Sequence, residues 1–148
     1  MKMSEEYEAW IRQSIDDLKA AQRLLGEFND KAANFAQQAA EKIIKAFFLF
    51  NNENIRYIHP TETLMECLLQ KALITDEEFN TNLESLQTID EVHRSISQDE
   101  EIVCRMCEIE YPKGNVAPCE DIDYEYAKKK IDCASELIGW FLKKMNYN

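Results

Sequence analysis

Ala36-Gln37-Gln38-Ala39-Ala40-Glu41-Lys42-Ile43-Ile44-Lys45-Ala46, running into Phe47-Phe48-Leu49-Phe50, decides how the rest of this chain folds. On a helix, Ala36, Ala40, Ile43 and Phe47 fall at i, i+4, i+7 and i+11 and make one apolar seam. Gln37, Glu41 and Lys45 form a polar line beside it, and Gln38 with Lys42 a second, shorter row. Glu41 four residues before Lys45 is the favourable ion-pair order on a helix, worth a few tenths of a kcal/mol if exposed. The small alanines let a second helix come close. The pattern reads as a core helix with a solvated polar flank.

The helix before it keeps the same period. Tyr7, Trp10, Ile11, Ile15, Leu18, Ala21, Leu25 and Phe28 point inward, Asp16-Asp17 and Arg23 outward, and Ser4 is the expected cap. Gly26 weakens its end, and Asn29-Asp30 reads as the turn and cap of the next helix, which runs from about Lys31 to Phe50. Asn51-Asn52-Glu53-Asn54 stops it. His59 precedes a proline and is expected to be extended. Thr61 is the expected cap of a third helix with Leu64, Leu68 and Leu69 inward. Thr75-Asp76-Glu77-Glu78 has the spacing of a capping box. It starts a fourth helix along Phe79, Leu83, Leu86, Ile89 or Asp90, His93 and Ile96. Ile102 to Ile109 reads as a short helix, and Tyr111 to Pro118 as a non-helical segment. Asp121 is the expected cap of a last helix with Tyr124, Ala127, Ile131, Ala134, Leu137, Ile138, Phe141, Leu142 and Met145 inward. The sum is an all-α, up-and-down bundle of four to six helices. With 148 residues, three glycines and three prolines, one domain over 1–148 is expected.

The charge balance narrows the partners. Against 28 acidic residues stand 17 basic ones, a net charge of -11, which opposes broad capture of nucleic acid. The acidic start of the chain has no apolar run behind it, and no stretch approaches the roughly 18 apolar residues that span a bilayer. A cytoplasmic location with free thiols at the five cysteines is expected. Lys128-Lys129-Lys130 and Lys143-Lys144 make the last helix basic. They read as a solvated face or as a local site for a phosphate-bearing ligand or RNA.

Chemistry-bearing motifs are sparse. Only His59 and His93 are present. A di-iron bundle needs Glu-x-x-His pairs, and Asp90-x-x-His93 is the nearest approach. Cys104-Arg105-Met106-Cys107 is a single Cys-x-x-Cys pair. Zinc would need two more ligands from Cys119, His93 or Cys133. The pair reads as two small, semi-buried residues, so no metal and no cofactor are expected. His93 reads as a core histidine. His59, beside Arg56 and Tyr57, is the more accessible of the two.

Several stretches together resemble a known family. Trp10 with Asp16-Asp17-Leu18-Lys19-Ala20-Ala21, then Phe35 through Ala46, look like the first two helices of the HEPN domain, a family named for nucleotide binding in higher eukaryotes and prokaryotes. Thr61-Glu62-Thr63-Leu64 is similar to the Thr-His-Asp-Leu start of its third helix, and Tyr111-Pro112 to its Arg-Tyr-Pro segment. The resemblance implies a bundle of four or five helices that forms homodimers. Members are often encoded beside a small nucleotidyltransferase, and many are ribonuclease toxins with that neighbour as antitoxin. It also implies that Gln37, Gln38, Glu41, Lys42, Lys45 and Tyr111 lie near a ligand site or dimer cleft. Catalytic members carry an arginine four to six residues before a histidine. The arginine would stabilise phosphate charge, and the histidine would act as acid or base on the 2′-hydroxyl. Here Arg56 and His59, the only candidates for that pair, are separated by two residues. Glu62 stands where the family's histidine often stands, and Glu110 where its arginine would precede Tyr111. The expectation is a non-catalytic homodimer that binds a nucleotide, a partner nucleotidyltransferase, or both. The alternatives are a ribonuclease toxin with a non-standard Arg56/His59 site, and a helical scaffold with no ligand.

Overall fold

The computed structural model describes residues 3–55, 60–91 and 122–148. Five helices stand in these residues: α1 (Met3–Leu24), α2 (Asn29–Phe50), α3 (Thr61–Gln70), α4 (Asp76–Asp90) and α5 (Tyr124–Lys144). The all-α reading holds. Contacts between the helix ends give their directions. Tyr7 packs edge-on against Phe50, with ring centroids 5.2 Å apart, so α1 and α2 are antiparallel. Phe47 meets Phe141 at 5.2 Å, while Gly26, just ahead of α2, lies against the Tyr124 ring. α2 and α5 are therefore parallel. Lys71 at the end of α3 pairs with Glu53 just past α2, 3.0 Å apart, so α3 runs the same way as α2. α4 turns back and runs antiparallel to α5, from Glu78–Lys144 (2.6 Å) at one end to Tyr126 Oη donating to the Glu91 carbonyl (2.7 Å) at the other.

The core is built on the alanine seam. Ala36, Ala40 and Ile43 are fully buried and Phe47 nearly so, together with Ala32, Ala33 and Ala39. Small side chains bring α1 close enough for Ser14 Oγ to donate to the Ala39 carbonyl at 2.7 Å. From α5 come Ala127, Ile131, Ala134, Leu137, Ile138 and Phe141, all buried as expected. Met65 of α3 is fully buried beside Leu64 and Leu68, a core position the periodicity reading omitted.

The helix ends depart from the sequence expectations in instructive ways. α1 begins at Met3, which places Ser4 inside the helix rather than at its cap. Gly26 has φ +92, a left-handed conformation that costs glycine little, and Asn29 Oδ1 accepts from its N–H at 2.7 Å. Asn29 is thus helical and reaches back to hold the turn, while Phe28 is the N-cap without a side-chain cap. Thr61 is the first residue of α3, not its cap; Pro60 holds that position. The cap comes from Asp90, distant in sequence. Its carboxylate accepts from Thr61 N (2.9 Å), Thr61 Oγ1 (2.8 Å) and Glu62 N (2.9 Å). The capping box of α4 is complete, with Thr75 Oγ1 accepting from Glu78 N and Glu78 Oε1 from Thr75 N. α4 ends at Asp90, short of the expected run to Ile96; His93 and Ile96 lie outside the described residues. Asp123, not Asp121, caps α5, accepting from Tyr126 N at 2.8 Å.

Candidate functional site

The two polar rows of α2 separate in the fold. Gln37, Glu41 and Lys45 are 1%, 5% and 7% exposed, which overturns the solvated-flank reading of that line. Glu41 and Lys45 form their ion pair at 3.9 Å inside the protein rather than on its surface. Gln37 Nε2 is buried and finds no acceptor among the described residues. These residues belong to the packed interior.

Gln38 and Lys42, half-buried, face outward beside α1. Lys42 Nζ pairs with Asp17 Oδ2 at 2.5 Å, and Gln13 Nε2 donates to Asp17 Oδ1 at 2.9 Å. Asp17, read from the sequence as outward, is 4% exposed. The reason is visible in the spacing: Trp10, Ser14, Asp17 and Ala21 share one stripe of α1, and that stripe meets α2. A carboxylate so enclosed needs hydrogen-bonding partners, which Lys42 and Gln13 supply. The lysine's charge is in turn matched by the aspartate.

Above this network lies a shallow surface depression lined by Ala9, Trp10, Gln13 and Lys42. It offers part of the Trp10 indole, a carboxamide and a compensated ammonium. Asp17 holds both polar groups from below, so their positions are fixed before anything binds.

A second polar cluster joins α3, α4 and α5. Beside the Asp90 cap, the fully enclosed Lys130 Nζ donates to the Ile89 carbonyl (2.5 Å) and the Glu91 carbonyl (2.8 Å), closing the C-terminus of α4. The basic run of α5 is therefore not one patch. Lys130 is buried, Lys128 is bonded to Asp132 at 2.8 Å, and Lys144 to Glu78. The Asp132 carboxylate raises the Lys128 pKa above its ordinary value. Lys144, donating to Glu78, lowers that carboxyl below its usual range.

Tyr111, Arg56, His59, His93, Cys104, Cys107 and Cys119 lie outside the described residues. Cys67 and Cys133 are free, half-buried thiols. Among the described residues no three His, Cys, Asp or Glu side chains group as a metal site, and no helix is long and apolar enough to cross a membrane.

This geometry, two long helices locked by Ser14–Ala39 and Asp17–Lys42 with α5 alongside, uses the stretches on which the family resemblance rests. The sequence profile of the HEPN domain matches residues 7–145. The chain belongs to the HEPN domain family. The crystal structure of an archaeal HEPN homologue has the same fold, with a TM-score of 0.67 over 94% of this chain and 97% of that one, at 22% identity. A search of curated proteins gave no match.

Proposed function

We propose that this HEPN protein is a non-catalytic, homodimeric binding module that docks a partner protein rather than cleaving RNA. The partner that the family resemblance implies is a small nucleotidyltransferase. The observation that carries this reading is the depression on α1 and α2. A shallow, mostly apolar hollow with an indole in its wall is the form of a protein docking point. The preset network of Asp17, Gln13 and Lys42 beneath it adds fixed polar contacts. The spacing of Arg56 and His59 supports the non-catalytic part.

Three measurements test it. Light scattering should give a mass twice 17.3 kDa. Co-expression with a nucleotidyltransferase encoded beside it should yield a stable complex that survives purification. Purified dimer should leave RNA intact, and expression should not arrest growth. RNA cleavage lost in His59→Ala would instead establish the ribonuclease alternative. A constitutive oligomer with neither partner nor ligand would establish the scaffold.

Nucleotide binding is the second reading. It draws on Trp10 beside Lys42, which pairs a stacking surface with an ammonium donor. Calorimetry with ATP, GTP and AMP tests it, and no heat with any of them removes it.

A further inference from the structure

The chain's two indoles are placed differently. Trp140 holds the Lys144 ammonium over its ring, 5.6 Å from the centroid, and the same ammonium is bonded to Glu78 at 2.6 Å. Tyr126 receives Lys130 in the same manner at 5.3 Å. Trp10 is half-buried, packed in part against the core and in part lining the depression. Among the described residues it has no ring, cation or hydrogen-bond partner.

The charges around Trp10 select its occupant. Lys42 is already matched by Asp17. Glu6, exposed and one turn before Trp10 on the same face of α1, has no such match among the described residues, and Glu5 and Glu8 stand in the same turns. An incoming phosphate would cross these glutamates to reach a lysine whose charge is spent, on a chain of net charge -11. An incoming cation would meet the indole face, the Glu6 carboxylate and the Gln13 Oε1 acceptor, since only Gln13 Nε2 is committed to Asp17. A guanidinium fits best: it is planar, stacks on indole and carries donors for both oxygens.

We propose that Trp10 is the docking point for an arginine on a basic segment of a protein partner, the intermolecular counterpart of Lys144 on Trp140. The inference rests on the partner-binding reading and names the chemistry of the partner. It is tested on the full chain, labelled with ¹⁵N, by following the two indole N–H resonances, assigned with Trp10→Phe. The probes are an octapeptide of alternating glycine and arginine, the same peptide with citrulline for arginine, and AMP. With the arginine peptide the Trp10 resonance should shift saturably while that of Trp140 stays in place. Citrulline should weaken binding about fivefold or more, and Glu6→Gln about threefold, as loss of a cation–π contact and of an ion pair requires. A still Trp10 resonance, an equal response to citrulline, or tighter binding of AMP overturns the proposal. Failure of the broader reading looks different. If a nucleotidyltransferase complex forms equally well with Trp10→Ala, the docking point is wrong and the module remains. If no complex forms while Trp10 still answers arginine, the module reading is wrong and the docking point remains.

Discussion

Replacing Asp90 by alanine should detach α3 from the end of α4. The carboxylate is 4% exposed and accepts three hydrogen bonds, from Thr61 N, Thr61 Oγ1 and Glu62 N, at the start of a helix whose own cap position is a proline. Loss of an N-cap alone costs about 1 kcal/mol. Hydrogen bonds to a charged group contribute about 1.5–3 kcal/mol each, and stranded donors in a buried place add to the loss. These terms overlap, so about 3 kcal/mol is the expected destabilisation for Asp90→Ala. Asp90→Asn keeps an oxygen for both Thr61 bonds but turns an amide toward the Glu62 N–H, and should cost about 1–2 kcal/mol. Urea unfolding measures both. The midpoint should fall by at least about 1 M for the alanine variant with an unchanged slope. Amide exchange at Thr61 and Glu62 should accelerate before exchange in α2 does. An alanine variant within about 0.5 kcal/mol of the parent, or unaltered exchange at those two amides, would refute the reasoning.

Other substitutions probe other parts of the molecule. The Glu78 carboxyl is held low chiefly by Lys144, so its contribution is present above the unfolded value of 4.5 and lost as pH falls through the lower folded value. The stability difference between the parent and Lys144→Met should therefore be full at neutral pH and shrink on acidification below that value; a flat difference in urea midpoints contradicts this. Ala40→Leu inserts volume into the fully buried seam, and a loss of about 1–3 kcal/mol should lower the melting temperature by several degrees. Gln37→Met removes a buried donor without an acceptor and should be neutral or slightly stabilising in chemical denaturation; a loss above about 1 kcal/mol would mean that the amide is paired.

The elements built on local pattern were readable in advance. The 3.6-residue period located the five helices of the described residues, and the Thr75–Glu78 capping box appears with both of its bonds. The alanine seam was readable because its spacing is a property of α2 alone. What escaped was set by residues far apart in the chain. Asp90 caps α3 across 28 and 29 positions, and Lys130 closes α4 across 39 and 41. Neither side chain carries a local sign of that role. The polar line Gln37–Glu41–Lys45 looked like surface because charged residues usually are; tertiary packing covered it. At the candidate site, Lys42 was picked out by its stretch, while Asp17 was passed over as one of two outward aspartates. The stripe from Trp10 through Ser14 to Ala21 carried the signal that places it inside.

The parallel run of α2 and α5 has a consequence for how the chain acquires its structure. α1 and α2 are sequence neighbours and can zip together as soon as both exist, with Ser14 on Ala39 and Asp17 on Lys42. Phe47, at the far end of the seam, however, waits for a helix that begins at Tyr124. During synthesis the first hairpin therefore stands for about half of the chain's length, from Phe50 to Tyr124, without the helix that covers Phe47. That last docking closes a loop of about half the chain, whose entropic cost grows only slowly with its length. Until then the nascent hairpin is a target for chaperones, and for the matching stripe of a neighbouring nascent chain.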